Sequence, residues 1–210
     1  VKLVVGLGNP GRRYAATRHN VGFRIAERFA EQHGIPLRSS RFGGRFGRGA
    51  VGGPGGAPLD VGVLEPQTYM NLSGDSVSEA LRCLPVEDPG RDLIVVVDDV
   101  DLPFGRLRIR PRGGAAGHRG LSHLIERVGR SDFPRLRFGV GRPTVPMDTA
   151  DYVLQRFSPE EERALDGRID EAAAALRAIL VDGIQAAMNR FNRDPEPADP
   201  ASVEGSGRRD

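Results

Sequence analysis

Five apolar residues in a row, Leu93 to Val97, run straight into Asp98 and Asp99. Continuous, largely β-branched hydrophobicity with no polar alternation marks a strand covered on both faces, the central strand of an α/β sheet. Such a strand needs helices above and below it and neighbours on both edges, which excludes an all-helical fold. Residues 1–5 read as a second short buried strand. Residues 106–110 alternate, with Leu107 and Ile109 on one side and Arg106, Arg108 and Arg110 on a cationic outer side. Leu136, Phe138 and Val140 alternate in the same way. Alternating strands beside continuous ones predict mixed rather than purely parallel pairing.

The helices follow from periodicity and punctuation. Val21, Ile25 and Phe29 share a face in residues 20–33, with Asn20 as the N-cap by residue type and Gly34 and Pro36 as the stop. Residues 46–51 and 59–64 predict a long hairpin around a loose Gly-rich turn. Arg41, Arg45 and Arg48 on it either face RNA or form a solvated surface. Residues 73–84 form a helix through Val77, Ala80, Leu81 and Leu84, where Cys83 is expected as a buried thiol. Residues 85–91 read as a turn, 112–120 as a mobile glycine-rich loop, 121–128 as a helix and 148–155 as a short helical stretch. Ser158, Pro159 and Glu161 spell a capped helix start, continued by Leu165, Ile169, Ala172, Leu176 and Ile179. Gly183 breaks that helix, and a last one reaches about Asn192. Residues 193–210 are rich in Pro, Asp, Glu, Ser and Gly and read as a disordered tail. The expected architecture is therefore α/β: one domain over residues 1–192, a twisted mixed β-sheet covered by helices on both faces.

Composition narrows the setting. The 210 residues carry 30 basic and 28 acidic side chains. The basic ones are almost all arginine, which suits bidentate phosphate contacts better than lysine. The single cysteine rules out an intramolecular disulfide framework and suits a reducing cytoplasm. No apolar run approaches membrane-spanning length, and the start of the sequence reads as a strand rather than a secretory signal.

The chemistry concentrates between the first strand and the first helix, in Gly6 to Phe23 (GLGNPGRRYAATRHNVGF). Gly6, Gly8 and Gly11 also fit a dinucleotide fingerprint. That reading needs a helix opening at the third glycine and an acid ending a second strand, and neither is present. The loop offers an imidazole, His19, and an amide, Asn9. Asp98 closes the most buried strand, and an acid there points into the crevice where the first loop also lies. A carboxylate that accepts one imidazole N–H fixes the tautomer and frees the other nitrogen to take a proton from water. No Ser or Cys is placed as a companion nucleophile, so water is the expected attacker. Asp98, Asp99 and Asp101 could instead bind a cation. No His or Cys shares their segment at ligand spacing, however, and a hard cation needs more oxygens, so no metal and no cofactor is expected.

Four separated motifs carry a family resemblance: the 6–23 loop, Pro66 to Gly74 (PQTYMNLSG), Val97 to Gly105 (VDDVDLPFG) and Gly117 to Leu121 (GHRGL). Together they resemble bacterial peptidyl-tRNA hydrolase, from Val1 to about Asn192. The resemblance implies hydrolysis of the ester between a peptide and the 3′-terminal ribose of tRNA, which recycles tRNA dropped by the ribosome. It also implies a cytoplasmic monomer that needs no metal. By resemblance, His19 is the base, Asp98 its partner and Asn71 a substrate-binding amide. Asn9 distinguishes N-blocked from free aminoacyl-tRNA. Tyr14 and Tyr69 line the 3′-end site, where ordinary packing is the alternative, and Arg110 and Arg137 clamp the tRNA 5′ phosphate. Two departures stand out. Arg119 replaces the family's usual Asn, and Ala115 and Ala116 stiffen a loop expected to move. A non-catalytic RNA-binding protein on the same fold is the alternative function. His118, beside glycines at a helix entry, either binds phosphate or hydrogen-bonds the backbone, and the second, structural role is favoured.

Overall fold

The apolar run lies inside a sheet, as its composition demands. The computed structural model describes residues 1–193. In it the chain runs β1 (Lys2–Gly6), α1 (Val21–Gln32), β2 (Ser39–Arg41), β3 (Gly44–Gly52), β4 (Pro58–Pro66), α2 (Ser73–Cys83), α3 (Pro89–Asp92) and β5 (Leu93–Asp99). It continues through β6 (Leu107–Arg110), α4 (Arg119–Val128), β7 (Arg135–Gly139), α5 (Thr149–Val153), α6 (Pro159–Val181) and α7 (Ile184–Phe191). The strands form one sheet in the order β2-β3-β4-β1-β5-β7-β6. β1 pairs parallel with β4 and β5, and β5 parallel with β7. β2, β3 and β4 pair antiparallel, as do β6 and β7. The expected mixed sheet is present.

β5 is buried at all seven positions. Successive side chains of a strand leave by opposite faces. Ile94 and Val96 accordingly enter a core with α1 and α6, while Leu93, Val95 and Val97 enter one with α2 and α4. The alternating strands β6 and β7 put Leu107, Ile109, Leu136 and Phe138 into the first of these cores. Their other face carries arginine, with Arg108 opposite Arg137 and Arg110 opposite Arg135.

α1 packs so closely on the sheet that two glycines are needed. A Cβ at Gly6 would meet the Gly22 carbonyl oxygen at 2.3 Å, and one at Gly22 would meet the Leu7 carbonyl oxygen at 2.4 Å. This approach draws the loop before α1 down onto the C-terminal ends of β1 and β5.

Several expectations need correction. β2 and α3 were not predicted; both are short, at three and four residues. Cys83 is exposed, because burial on α2 follows Val77, Ala80 and Leu84 and the last helical residue falls off that stripe. Asn20 occupies the N-cap position of α1 but makes no capping bond there. Of the hairpin arginines, Arg45 bonds Glu27 and Glu65, and Arg48 meets Asp60 through both Nε and Nη2, so both are neutralised within the chain. The capping box at Ser158 and Glu161 forms as expected. The expected tail falls, apart from Arg193, outside the described residues.

Glu65, at the end of β4, is fully buried. Burial and then the nearby Glu27 push its carboxyl up to about 8, against the pull of Arg45. An acid whose folded pKa lies above its unfolded value binds its proton more tightly when folded. Stability is therefore retained below the unfolded pKa and lost as pH rises from about 4.5 through about 8. Urea denaturation at pH 6 and pH 9 should show wild type losing about 2–3 kcal/mol across that interval, and Glu65→Gln losing most of this dependence.

Candidate active site

The C-terminal ends of β1 and β5 open into a hollow of about 650 Å³. Asn9 and His19 reach it from the loop after β1, and Tyr69, Met70 and Asn71 from the 3-10 turn before α2. Asp98 and Asp99 come from β5, Gly117 to Arg119 from the start of α4, and Arg137 from β7. Ligand sites of open α/β sheets fall at such strand ends because neighbouring connections diverge there.

His19 Nδ1 lies 2.7 Å from Asp98 Oδ1, and His118 Nε2 lies 3.0 Å from the same oxygen. The His118 tautomer is fixed by its other bond. Its Nδ1 accepts from the Leu121 N–H as the N-cap of α4, so Nε2 carries the proton and donates to Asp98. Asp98 is 5% exposed. Burial alone would raise its carboxyl pKa, but the charge and hydrogen bonds of His19 and His118 outweigh this and hold it far below the usual carboxylate range. The ionised acid acts back on His19. Burial pulls the imidazole down, Asp98 more than compensates, and Arg119 opposes Asp98, leaving His19 raised above 6.5. With Nδ1 committed to Asp98, Nε2 is the nitrogen available to the hollow.

Asn9 is held just as firmly. Its backbone N–H donates to Asn20 Oδ1 at 2.9 Å, and Asn20 Nδ2 donates to the Asn9 carbonyl at 2.9 Å. Asn9 Oδ1 accepts from the Met70 N–H at 2.8 Å. That bond settles which end of the amide is which, and it leaves Nδ2, a donor, without a partner among the described residues. Asn20 therefore braces the loop rather than capping α1.

The glycine-rich loop is anchored at both ends. His118 ties one end to Asp98. At the other, the buried Arg135 donates from Nη1 to the carbonyls of Gly113 and Gly114 at 2.6 and 3.1 Å, and from Nη2 to that of Ser131 at 2.7 Å. Ala116 between them holds a left-handed φ of +49°, unfavourable for any residue with a Cβ.

The expected site residues divide. His19, Asp98, Asn9, Asn71, Tyr69 and Arg137 all line the hollow. Arg137 also lies 3.3 Å from Asp99. Tyr69 is exposed at 55%, so it does not serve as core packing. Tyr14 and Arg110 do not line the hollow. The Tyr14 ring is covered by the Arg13 guanidinium at 4.4 Å, and Arg110 stands exposed on the edge strand β6. Sequence reasoning missed the second bond of His118, the brace of Asn20 and the anchor of Arg135. The anchor of Arg135 leaves no local pattern, because its carbonyl acceptors on Gly113 and Gly114 lie 22 and 21 residues away. Val100, Val153 and Leu154 form an apolar wall that was also unforeseen.

His19, Asp98 and His118 offer ligand atoms within 4.8 Å of one another. A cation there would have to displace both imidazole N–H bonds to Asp98 and the cap of α4. The donor set fits a hydrogen-bonded base better than a metal centre.

A histidine oriented by a buried carboxylate, in an open hollow at the ends of a mixed sheet, defines a site suited to activating water. Residues 3–199 match the family described as peptidyl-tRNA hydrolase. The chain is 48% identical over 190 residues to a peptidyl-tRNA hydrolase of Chloroflexus aggregans, covering 90% of this chain and 98% of that one. It is 43% identical to a chloroplastic peptidyl-tRNA hydrolase of Arabidopsis thaliana, covering 86% of this chain and 61% of that one. The crystal structure of peptidyl-tRNA hydrolase from Acinetobacter baumannii superposes with a TM-score of 0.81 at 37% identity, over 91% of this chain and 94% of that one. This chain belongs to the peptidyl-tRNA hydrolase family.

The electrostatics can be tested by NMR titration of the imidazole ring protons. His19 should titrate above 6.5 in wild type. Asp98→Asn should move it down, because the neutral amide no longer favours the protonated ring, and Arg119→Asn should move it up. Ala116→Gly should raise stability in urea by about 1 kcal/mol.

Proposed function

We propose that this protein hydrolyses the ester joining a peptide, or an N-blocked aminoacyl group, to the 3′-terminal ribose of tRNA. Family membership supports the reaction, and the His19–Asp98 contact supports the mechanism. With the acyl carbonyl in the hollow, His19 Nε2 takes a proton from water and the resulting hydroxide attacks the carbonyl carbon. The tetrahedral oxyanion is stabilised by side-chain amides on the rim, with Asn71 in that role. On collapse the C–O ester bond breaks, and the imidazolium returns its proton to the departing ribose oxygen. Asp98 stays ionised and stabilises the imidazolium, and His118 holds Asp98 in place. General-base assistance of this kind contributes about 10²–10⁴-fold, and a single oxyanion donor about 10²–10³-fold.

Discrimination follows from the fixed orientation of Asn9. Its acceptor is consumed by Met70, so it offers the substrate only a donor. A peptide carbonyl accepts from that N–H. The ammonium of a free aminoacyl ester has donors alone and would sit unpaired against it. Tyr69 is placed to stack on a base at the 3′ end. Arg137, with Arg110 diagonal to it on the same face of β6 and β7, suits a phosphate clamp. A lone cysteine and the absence, among the described residues, of any helix long and apolar enough to cross a membrane fit action in the cytoplasm. Neither family membership nor the assembled dyad favours the non-catalytic alternative.

Incubation with N-acetyl-aminoacyl-tRNA and with aminoacyl-tRNA tests the proposal. Release from the first only is expected, lowered about 10²–10⁴-fold in His19→Ala. Asn9→Asp, which can accept from an ammonium, should raise release from aminoacyl-tRNA. Release from neither substrate by folded wild-type protein would refute the assignment.

A further inference from the structure

His19 belongs to a single 3-10 turn, Arg18–Asn20. A 3-10 helix has three residues per turn, so successive side chains leave it about 120° apart. The side chains of this turn accordingly reach three different parts of the fold. His19 meets Asp98 on β5, and Asn20 meets Asn9 in the preceding loop. Arg18 reaches the segment that joins α5 to α6. The first two contacts build the site described above, and the third has no part in the bond-breaking steps.

Arg18 is 6% exposed, one of two buried arginines among the described residues, the other being Arg135. Its Nη1 donates to the Arg156 carbonyl, and its Nη2 to Glu161 Oε2 at 2.6 Å. The guanidinium lies 4.5 Å from the centre of the Tyr152 ring and 5.3 Å from that of Phe157. The backbone joins in. The Arg18 N–H donates to the Gln155 carbonyl at 2.9 Å, and Thr17 and Arg156 form an isolated antiparallel bridge. The partners are themselves fixed. Glu161 Oε2 also accepts from the Ser158 N–H at 2.7 Å in the capping box of α6, and the Tyr152 hydroxyl donates to the Val140 carbonyl at 3.0 Å. Residues 152–161 are thus held, by side chain and backbone, to the residue next to the base.

That segment also borders the catalytic hollow. Val153 and Leu154 form its apolar wall with Val100, and α5 adds Thr149 and Ala150. Base and wall come from distant parts of the chain, since Arg18 and Arg156 are 138 residues apart. Burying a guanidinium with a carboxylate seldom stabilises a fold more than apolar packing does, because desolvation offsets the attraction. A planar, forked cation supplies geometry instead, one position relative to two acceptors and two rings.

We infer that Arg18 is a positioning residue for the hydrolysis: it sets the apolar wall at a fixed distance from His19, and so holds the acyl group in register with the water that His19 activates. The inference rests on the ester hydrolysis proposed above. Asp98 and Arg119 are the charges that set the His19 pKa, so Arg18 acts through geometry rather than through charge.

Two variants test this from opposite ends of the contact. Arg18→Lys keeps the charge but loses the fork. Glu161→Gln keeps an acceptor for the capping box and removes the charge facing Arg18, from a position outside the hollow. With both variants shown to be folded by circular dichroism, Arg18→Lys should lower kcat on N-acetyl-aminoacyl-tRNA about 10–100-fold. KM should stay close to wild type, and the acid limb of the pH profile, set by His19, should not move. Glu161→Gln should lower kcat in the same way but by less. Amide hydrogen exchange at residue 18, Tyr152 and Gln155 should quicken in both variants while that of β5 stays as in wild type. Unchanged exchange at those three amides would overturn the inference. So would a wild-type kcat per folded molecule, because Arg18 would then serve the fold alone, or a displaced acid limb, because it would then act through charge. If wild type fails to release the N-acetyl-aminoacyl group, the hydrolase reading fails, while exchange still decides whether Arg18 couples the wall to the base.

Discussion

One carboxylate oxygen, Oδ1 of Asp98, receives two imidazoles from two different loops. The arrangement is costly to build. A buried carboxylate must be compensated, and its partners must arrive in the right tautomers. His118 meets that demand because the α4 backbone occupies its other nitrogen. His19 meets it because the loop ahead of α1 is pressed onto the strand ends. The same contact closes the glycine-rich loop over one side of the hollow, so the acid organises both the base and the wall beside it.

Close packing makes that contact possible. Gly6 and Gly22 let α1 lie directly on β1, at distances no side chain would permit. Asn20 then ties the loop back to Asn9, and Asn9 ties it across to Met70. The hollow is thus framed by side-chain amides that bond backbone groups, a rigid way to present one free imidazole nitrogen and one free amide donor.

Charge is distributed with the same economy. Arg45 and Arg48 on the hairpin edge and Arg24 and Arg28 on the α1–α6 face are paired with carboxylates within the chain. Net charge alone, at +2, conveys none of this.

The sequence by itself determined the central strand, the mixed sheet and most of the helices, since hydrophobic period, glycine stops and the Ser158 cap are local signals. It also singled out His19, Asp98 and Asn9 by their chemistry and their place at strand ends, and Asn71 by the resemblance its motif carries. Short β2 and α3 left too few residues to show a period. The exposure of Cys83, the shared bond of His118, the brace of Asn20 and the anchor of Arg135 were decided only by the tertiary structure. Each depends on which atoms from distant segments arrive at one place, His118 lying 20 residues from Asp98 and Arg135 22 residues from Gly113. Local propensity fixes the elements. Long-range packing decides which polar groups must satisfy one another once water is gone.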